Sequence, residues 1–394
     1  MARVLMVTSR LPWPPTEGHQ LRSWHLLRAL AREHRVTLLS CLRPEDAGTT
    51  NGELPAAVTR LAFHHLRQDA LSTAVHLVSS IGGRLPFVVH RYAGTELRGK
   101  VGELARDADL VHFDMLPLMA CADRVPAGVP VIYNAHNVEH VLLRARSANE
   151  SRPLHRAFLR SQVDRLMHFE TMASRRADLV LACSEPDRMQ LVDLGARTAI
   201  TVPNGVDLDG NRPGMEDEDG SLVFVGQMGW FPNRDGVDWF LSDVLPRVLA
   251  RKPKLRFTLV GKAQGLQVPA NVAANVDVSG FVDDLRPLVH RASVYVVPLR
   301  MGSGTRLKVL EAMAFGKAIV TTSIGSEGID LKEGVHAEFA DDAQSFADRI
   351  LALLNDPVHR AALGREARRL AEARYGWDAI GEAMLPHYER LLAA

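Results

Sequence analysis

The stretch VYVVPLRMGSGTRLKVLEAMAFGKAIVT, residues 294–321, decides the fold. It opens with the apolar run Val294-Tyr-Val-Val-Pro-Leu299 and turns through Gly302-Ser-Gly-Thr305. It then continues as an apolar helical segment and ends in a second strand-like run, Ala318-Ile-Val-Thr321. Short apolar runs flanking a helix describe a parallel strand–helix–strand unit. A glycine loop between a parallel strand and a helix start offers backbone N–H groups and the positive end of the helix dipole to an anion. Ser303 and Thr305 add hydroxyls. The loop lacks the Gly-Lys-Ser/Thr ending of a mononucleotide P-loop, and Leu307 stands where a dehydrogenase fingerprint needs its third glycine. Lys308 and Glu311, three residues apart, are neighbours on one helix face. A solvated ion pair explains them, worth about 0–1 kcal/mol. So does a ligand, because Glu311 is hemmed in by Val309, Leu310, Ala312, Met313, Ala314 and Phe315. Buried carboxylates need partners. A ribose diol is one such partner, and Lys308 is placed to neutralise a diphosphate.

Working outward, 394 residues exceed one ordinary core and suit two domains. A content of 46% apolar and 24% charged residues is that of a soluble globular chain. A formal charge of +1, from 47 basic and 46 acidic residues, gives no electrostatic case for nucleic acid as a partner. Cys41, Cys121 and Cys183 are scattered, against a disulfide framework or a cysteine zinc site and in keeping with a reducing cytoplasm. The apolar run before Arg10 is too short for a secretory signal, and no run approaches the ~18–20 residues of a spanning helix. A soluble cytoplasmic chain is expected, with peripheral contact at the inner membrane face left open.

Strand-like runs alternate with helical patterns on both sides of a break. Before it lie Val4–Val7, Val36–Leu39, Leu110–Phe113, Val129–Tyr133, Leu179–Ala182 and Ala199–Val202, with helical spacing at Leu21, Trp24, Leu27 and Leu30. After it lie Leu222–Val225, Arg256–Val260, Val276–Val278 and the opening stretch. The break, rich in Gly, Pro, Asn and acids, reads as a linker over 204–220. The expected organisation is a domain over 1–203, the linker, a second domain over 221–375, and a helix over 376–394 that crosses back to the first domain. Two such α/β domains place a ligand cleft at the carboxyl ends of their sheets.

The chain resembles the retaining GT-B glycosyltransferases of family 4, the group 1 transferases, over nearly its full length. The resemblance rests on Pro14-Pro-Thr-Glu-Gly-His-Gln-Leu-Arg22, Asn134-Ala-His-Asn-Val-Glu139, Val202-Pro-Asn-Gly-Val-Asp207, Phe224-Val-Gly-Gln-Met-Gly-Trp230 and Gly302 to Ala318, in this order. It implies an α/β GT-B fold of two Rossmann-like βαβ domains with parallel sheets facing an interdomain cleft. A nucleotide-sugar donor would be held mainly by the C-terminal domain and an acceptor by the N-terminal one. By the same resemblance Glu311 binds the donor ribose, and Phe281 and Val282 lie where the base is held. Gly226, Gly302, Ser303, Gly304, Thr305 and Lys308 belong to the diphosphate and sugar side. Ser303 occupies the place of a sugar-reading glutamate, and Gln227 that of a diphosphate-clamping arginine, leaving Arg234 as the base of its segment. Gly18, after the first strand, opens a second phosphate-facing loop. His19 and Arg22 fall on the acceptor side, and His136 contacts the donor sugar or phosphate.

The function these expectations describe is metal-independent sugar transfer, with retention, from a nucleoside-diphosphate sugar to a hydroxyl of a sugar, lipid-linked or small-molecule acceptor. His136, Lys308 and Glu311 are its catalytic residues, the nucleotide sugar is a co-substrate, and no cofactor is needed. Other readings stand beside it. Missing clamp residues suit a non-catalytic nucleotide-sugar-binding protein, and a GT-B epimerase needs no acceptor. His136-Asn-Val-Glu-His140 spells the H-x-x-E-H of inverted zincins, although zinc would need both histidines on one helix face and a third ligand. Asp107-Ala-Asp109 and Asp207-Leu-Asp209 lack the context of a metal site. The basic helical segment Leu154 to Arg176 suits a solvated helix or an anionic lipid surface.

Overall fold

The structure, a computed structural model, describes residues 1–15, 18–43, 58–66, 69–83, 85–214, 220–302 and 305–393. The chain forms two compact units, Met1–Pro203 together with Asp378–Ala394, and Asn204–Trp377.

The first unit is built on seven parallel strands: β1 (Arg3–Thr8), β2 (Arg35–Leu42), β3 (Val58–His65), β4 (Leu110–Asp114), β5 (Val131–Ala135), β6 (Leu179–Ala182) and β7 (Ala199–Thr201). Their order in the sheet is β3-β2-β1-β4-β5-β6-β7. The central strands are short continuous apolar runs because helices cover both faces. β4, Leu-Val-His-Phe-Asp, is wholly buried and carries two polar residues, His112 and Asp114, inward. Strand order reverses between β1 and β4, and crevices for ligands form at the carboxyl ends of strands at such a point. The helix Gly18–Glu33 follows β1 and buries Trp24, Leu27 and Leu30 at the expected spacing, but it also buries Gln20, Arg22 and Ser23. The last helix, Trp377–Leu392, belongs to this unit almost entirely. It buries Ile380, Met384 and Tyr388, four residues apart, and Asp378 pairs with Arg32 at 2.7 Å.

The second unit repeats the plan with six parallel strands: β8 (Ser221–Val225), β9 (Arg256–Val260), β10 (Val276–Gly280), β11 (Val294–Val297), β12 (Ala318–Thr321) and β13 (Glu338–Phe339). The order is β10-β9-β8-β11-β12-β13, so the switch point lies between β8 and β11. The helix Leu307–Ala314 returns the chain from β11 to β12 and buries Val309, Leu310, Ala312, Met313 and Ala314.

Two features depart from the sequence reading. Strands β3 and β13 had no clear signal: β3 mixes Thr, Arg and His into an edge strand, and β13 is two residues long. The segment read as a linker starts inside the second unit. Val206 is buried there and its N–H donates to the Tyr375 carbonyl at 2.8 Å. Asp207 closes a turn by accepting from the N–H groups of Asp209 and Gly210. Composition registered the Gly, Pro and acidic residues but not these local anchors. The part of that segment at 215–219 lies outside the described residues.

Candidate active site

In the second unit, Gly226 follows β8 and Gly302 follows β11, on either side of the switch point. Lys308, in the first turn of Leu307–Ala314, sends Nζ to Asn233 Oδ1 at 2.5 Å and over the Phe224 ring, 4.7 Å from its centroid. Asn233 is buried, and its Nδ2 donates to the Gln227 carbonyl at 2.9 Å. The amine thus lies against the loop after β8. A Cβ at position 226 would come within 2.8 Å of Asn233 Nδ2 and 3.1 Å of Lys308 Nζ, so a side chain there would displace both groups. Gly302 has φ +137°, and a Cβ would lie 2.9 Å from an Arg306 Nη. A side chain at 302 would be strained on both counts. Thr305 is buried, its carbonyl accepting from Asn204 Nδ2 at 3.3 Å. Asn204, from the Pro-Asn-Gly motif, therefore anchors the end of the glycine loop. Ser303 and Gly304 lie outside the described residues.

Glu311 is half-buried, and among the described residues its carboxyl makes no hydrogen bond or ion pair. Burial raises its carboxyl to about 7, an effect that the nearby Lys308 reduces. Burial likewise lowers Lys308 to about 7, against the pull of Glu311. The pair is not the solvated salt bridge that the sequence allowed. It consists of two desolvated groups at a strand–helix crevice, the carboxyl lacking a hydrogen-bond donor. Other expected residues sit less centrally. Arg234 pairs with Asp238 at 3.0 Å and donates to the carbonyls of Gln264 and Gly265, so its guanidinium is engaged by its own unit. Phe281 is exposed beyond β10 with Lys262 Nζ 5.8 Å from its ring centroid, and Val282 packs on the core.

In the first unit, His136 lies immediately after β5, and its Nε2 is 2.8 Å from Asp114 Oδ1 at the end of β4. Asn134 Nδ2 donates to the same oxygen at 2.6 Å, and Ser23 Oγ donates to Oδ2 at 2.5 Å. Burial alone would raise the Asp114 carboxyl, but His136, His112 and the Ser23 hydroxyl together hold it well below the ordinary carboxylate range. Arg22 is almost completely buried; Nε and one Nη donate to Asn134 Oδ1 at 3.1 and 2.8 Å, and the other Nη donates to the Val202 carbonyl at 2.8 Å. Its guanidinium supports the strand ends rather than projecting to an acceptor. Gly18, exposed, opens the helix, and His19 is half-buried beside it. On the far side of Asp114, His112 Nδ1 meets the Tyr388 hydroxyl at 2.6 Å. Burial lowers His112 to about 4 against the pull of Asp114, so this histidine is neutral.

The H-x-x-E-H segment does not form a zincin helix. Its helix begins at Glu139, leaving His136 in the preceding turn, and the two histidines turn to different carboxylates. His140 Nδ1 lies 2.7 Å from Glu170, whose carboxylate also accepts from the N–H groups of Glu139 and His140. Burial, with Glu170 nearby, raises Glu139 to about 7.

Comparison with known proteins identifies the family. The model of glycosyltransferase family 4 matches residues 17–209, and that of glycosyl transferases group 1 matches residues 219–356. The chain belongs to the group 1, family 4 glycosyltransferases. It is similar to a phosphatidyl-myo-inositol mannosyltransferase of Mycobacterium tuberculosis, 29% identical over 221 residues, 51% of this chain and 56% of that one. The chain thus spans about half the length of that relative. A D-inositol 3-phosphate glycosyltransferase of Geodermatophilus obscurus is 29% identical over 383 residues, 88% of this chain and 75% of the relative. HepE of Anabaena, solved in complex with UDP, superposes with a TM-score of 0.71 at 16% identity over 99% of this chain and 100% of its own, showing the GT-B fold.

In this group 1 glycosyltransferase the structure brings Lys308 and Glu311 onto one helix turn beside Gly226, and sets His136 against Asp114. Sequence reasoning gave no role to Asn233, Ser23 or Asp114 and did not foresee the contacts of Asn134. Asn233 is next to Arg234, and charge drew attention to the arginine alone. Asp114 had one available signal, an acidic residue closing an otherwise buried strand at the chain-order reversal.

Proposed function

We propose that this chain transfers a sugar from a nucleoside-diphosphate sugar to an acceptor hydroxyl, with retention at the anomeric carbon and without a metal ion. The observation that carries the reading is the Lys308–Glu311 pair at the switch point of the second unit, with its underpartnered carboxyl. A ribose diol donates the hydrogen bonds that Glu311 lacks. A diphosphate supplies the negative charge that returns Lys308 to its protonated form, and the first amides of the Leu307–Ala314 helix add partial positive charge. As the sugar leaves, charge grows on the diphosphate, so preorganised positive groups there lower the barrier. Lys308 and these amides fill the role a cation would otherwise have, which supports metal independence. In the sequence no protein nucleophile stands out, which is compatible with same-face attack assisted by the leaving phosphate.

The first unit, by this reading, holds the acceptor and contributes His136. The inositol compounds in the names of two relatives support a polyol or lipid-linked polyol acceptor, and HepE's UDP supports a uridine donor. No helix among the described residues is long and apolar enough to cross a membrane; we place the protein in the cytoplasm, with a lipid-linked acceptor bringing it to the inner membrane face. One observation favours a second reading, nucleotide-sugar binding without transfer. Gln227 stands in the clamp position, and Arg234 is engaged by Asp238 and two carbonyls. Thermal shift with UDP-glucose and GDP-mannose, followed by mass spectrometry of products with inositol phosphates and glycosides, separates the two. Stabilisation with product formation supports transfer, and stabilisation without turnover supports binding alone. Failure of every nucleotide sugar to stabilise the protein overturns both.

A further inference from the structure

The buried polar groups at the carboxyl ends of β4 and β5 form a chain of hydrogen bonds whose direction is dictated by chemistry. Arg22 is nearly fully buried and, like every arginine, has no acceptor. Both Nε and one Nη point at the same atom of Asn134, so that atom is the amide oxygen. The amide nitrogen of Asn134 therefore faces Asp114 Oδ1, 2.6 Å away. Asp114 receives this donor, the Ser23 hydroxyl on its other oxygen, and His136 Nε2 at 2.8 Å. The Asn134 amide nitrogen also lies 3.4 Å from His136 Nε2, but its 2.6 Å bond is to Asp114, and the carboxylate oxygen 2.8 Å from Nε2 can only accept, which makes Nε2 the donor.

We propose that Asp114 is a positioning residue that fixes His136 as the Nε2–H tautomer, with Arg22 and Asn134 setting the polarity of the relay. Which imidazole nitrogen carries the proton is set by the bond the other one makes. With Nε2 committed to Asp114, Nδ1 is the ring's site for a second proton. Charge in the relay is balanced: the Arg22 guanidinium offsets the Asp114 carboxylate through the shared Asn134, so a proton on His136 adds one positive charge. That charge would be supplied at the strand end where the first unit's loop after β5 begins. The part of the inference that concerns turnover rests on the transfer reading above; the tautomer does not.

The test separates the two. Selective 15N-histidine labelling of the full chain, with the His136→Gln variant to assign the resonance, reports the tautomer through two-bond nitrogen–proton correlations. The wild type is expected to show Nε2–H at His136. Asp114→Asn, which presents an amide nitrogen as well as an oxygen to the ring, is expected to raise the Nδ1–H population several-fold. A wild-type His136 in the Nδ1–H form overturns the proposal, and so does an unchanged tautomer ratio in Asp114→Asn. If that variant does not fold, by circular dichroism, the wild-type spectrum decides. The kinetic arm follows release of UDP from UDP-glucose or GDP from GDP-mannose, whichever stabilises the wild type. Asp114→Asn is expected to lower kcat roughly tenfold or more, with the donor KM little changed. If neither donor stabilises the wild type, the transfer reading fails while the tautomer still judges the relay.

Discussion

By the proposed function, Lys308 and Glu311 are a pair of opposite charges on one helix turn that desolvation turns into a binding device. Left in water, they would be worth little. In the crevice after β11, burial brings both to about 7 from opposite sides, lysine from above and glutamate from below. A nucleoside diphosphate requires the lysine charged, and ribose hydroxyls require the glutamate ionised. Below pH 7 Glu311 must lose a proton for binding, and above pH 7 Lys308 must gain one. UDP affinity is thus expected to peak near pH 7 and to fall on both sides, by up to about tenfold per unit. Glu311→Gln should flatten the acid limb and Lys308→Ala the alkaline limb, each with weaker binding at the optimum. Titration calorimetry across pH 5–9 checks this, and a flat wild-type profile would remove the pair from the site. Glu139 gives a stability counterpart. Its folded value, about 7, lies above the ordinary 4.5. Its contribution to stability is present in full below 4.5 and lost as pH rises through 7. Glu139→Gln, which cannot ionise, should gain on the wild type between pH 5 and 8, by roughly 1–2 kcal/mol given the partial exposure. Thermal melts at the two pH values measure the difference.

At the level of elements, the helix Glu139–Ala148 begins without a side-chain cap of its own, since Val138 precedes it. The cap comes from the helix Pro153–Arg176: Glu170, fully buried, accepts from two N–H groups of the first turn and from His140. Glu170→Ala leaves those donors buried without partners and should cost about 2–4 kcal/mol. It should also lower Glu139 part of the way, because the Glu170 charge that adds to the effect of burial is gone. A denaturant melt gives the first quantity and the pH dependence of stability the second. This cap shows why part of the molecule was legible in the sequence and part was not. Short apolar runs alternating with helical patterns identify parallel strands, and eleven of the thirteen described strands were read from that pattern. The helix after the glycine loop declared itself by an acid among apolar residues. Glu170, Asp114 and Asn233 gave no such sign, because each acts on a partner distant in sequence. A buried polar residue whose partner is 20, 31 or 75 positions away looks, in one dimension, like an ordinary surface residue.

For the whole molecule, the two units share a plan yet close their cores separately, and the chain finishes on the first of them. The helix Trp377–Leu392 starts where the second unit ends and buries Ile380, Met384 and Tyr388 as part of the first. Tyr388 is fully buried, stacks near His112 with ring centroids 6.1 Å apart, and places its hydroxyl on His112 Nδ1. The last residues of the chain thus support the strand that carries Asp114. Removing the ring leaves a cavity beside β4 and strips the neutral His112 of its partner; Tyr388→Ala should cost about 3–5 kcal/mol. Tyr388→Phe, which removes the hydroxyl alone, should cost about 1–2 kcal/mol. Because the cost falls on one unit, differential scanning calorimetry should show the transition of the first unit moving down in both variants. UDP, by the proposed function, stabilises the second unit and moves the other transition up. Equal displacement of both transitions by Tyr388→Ala would show that the C-terminal helix does not belong energetically to the first unit.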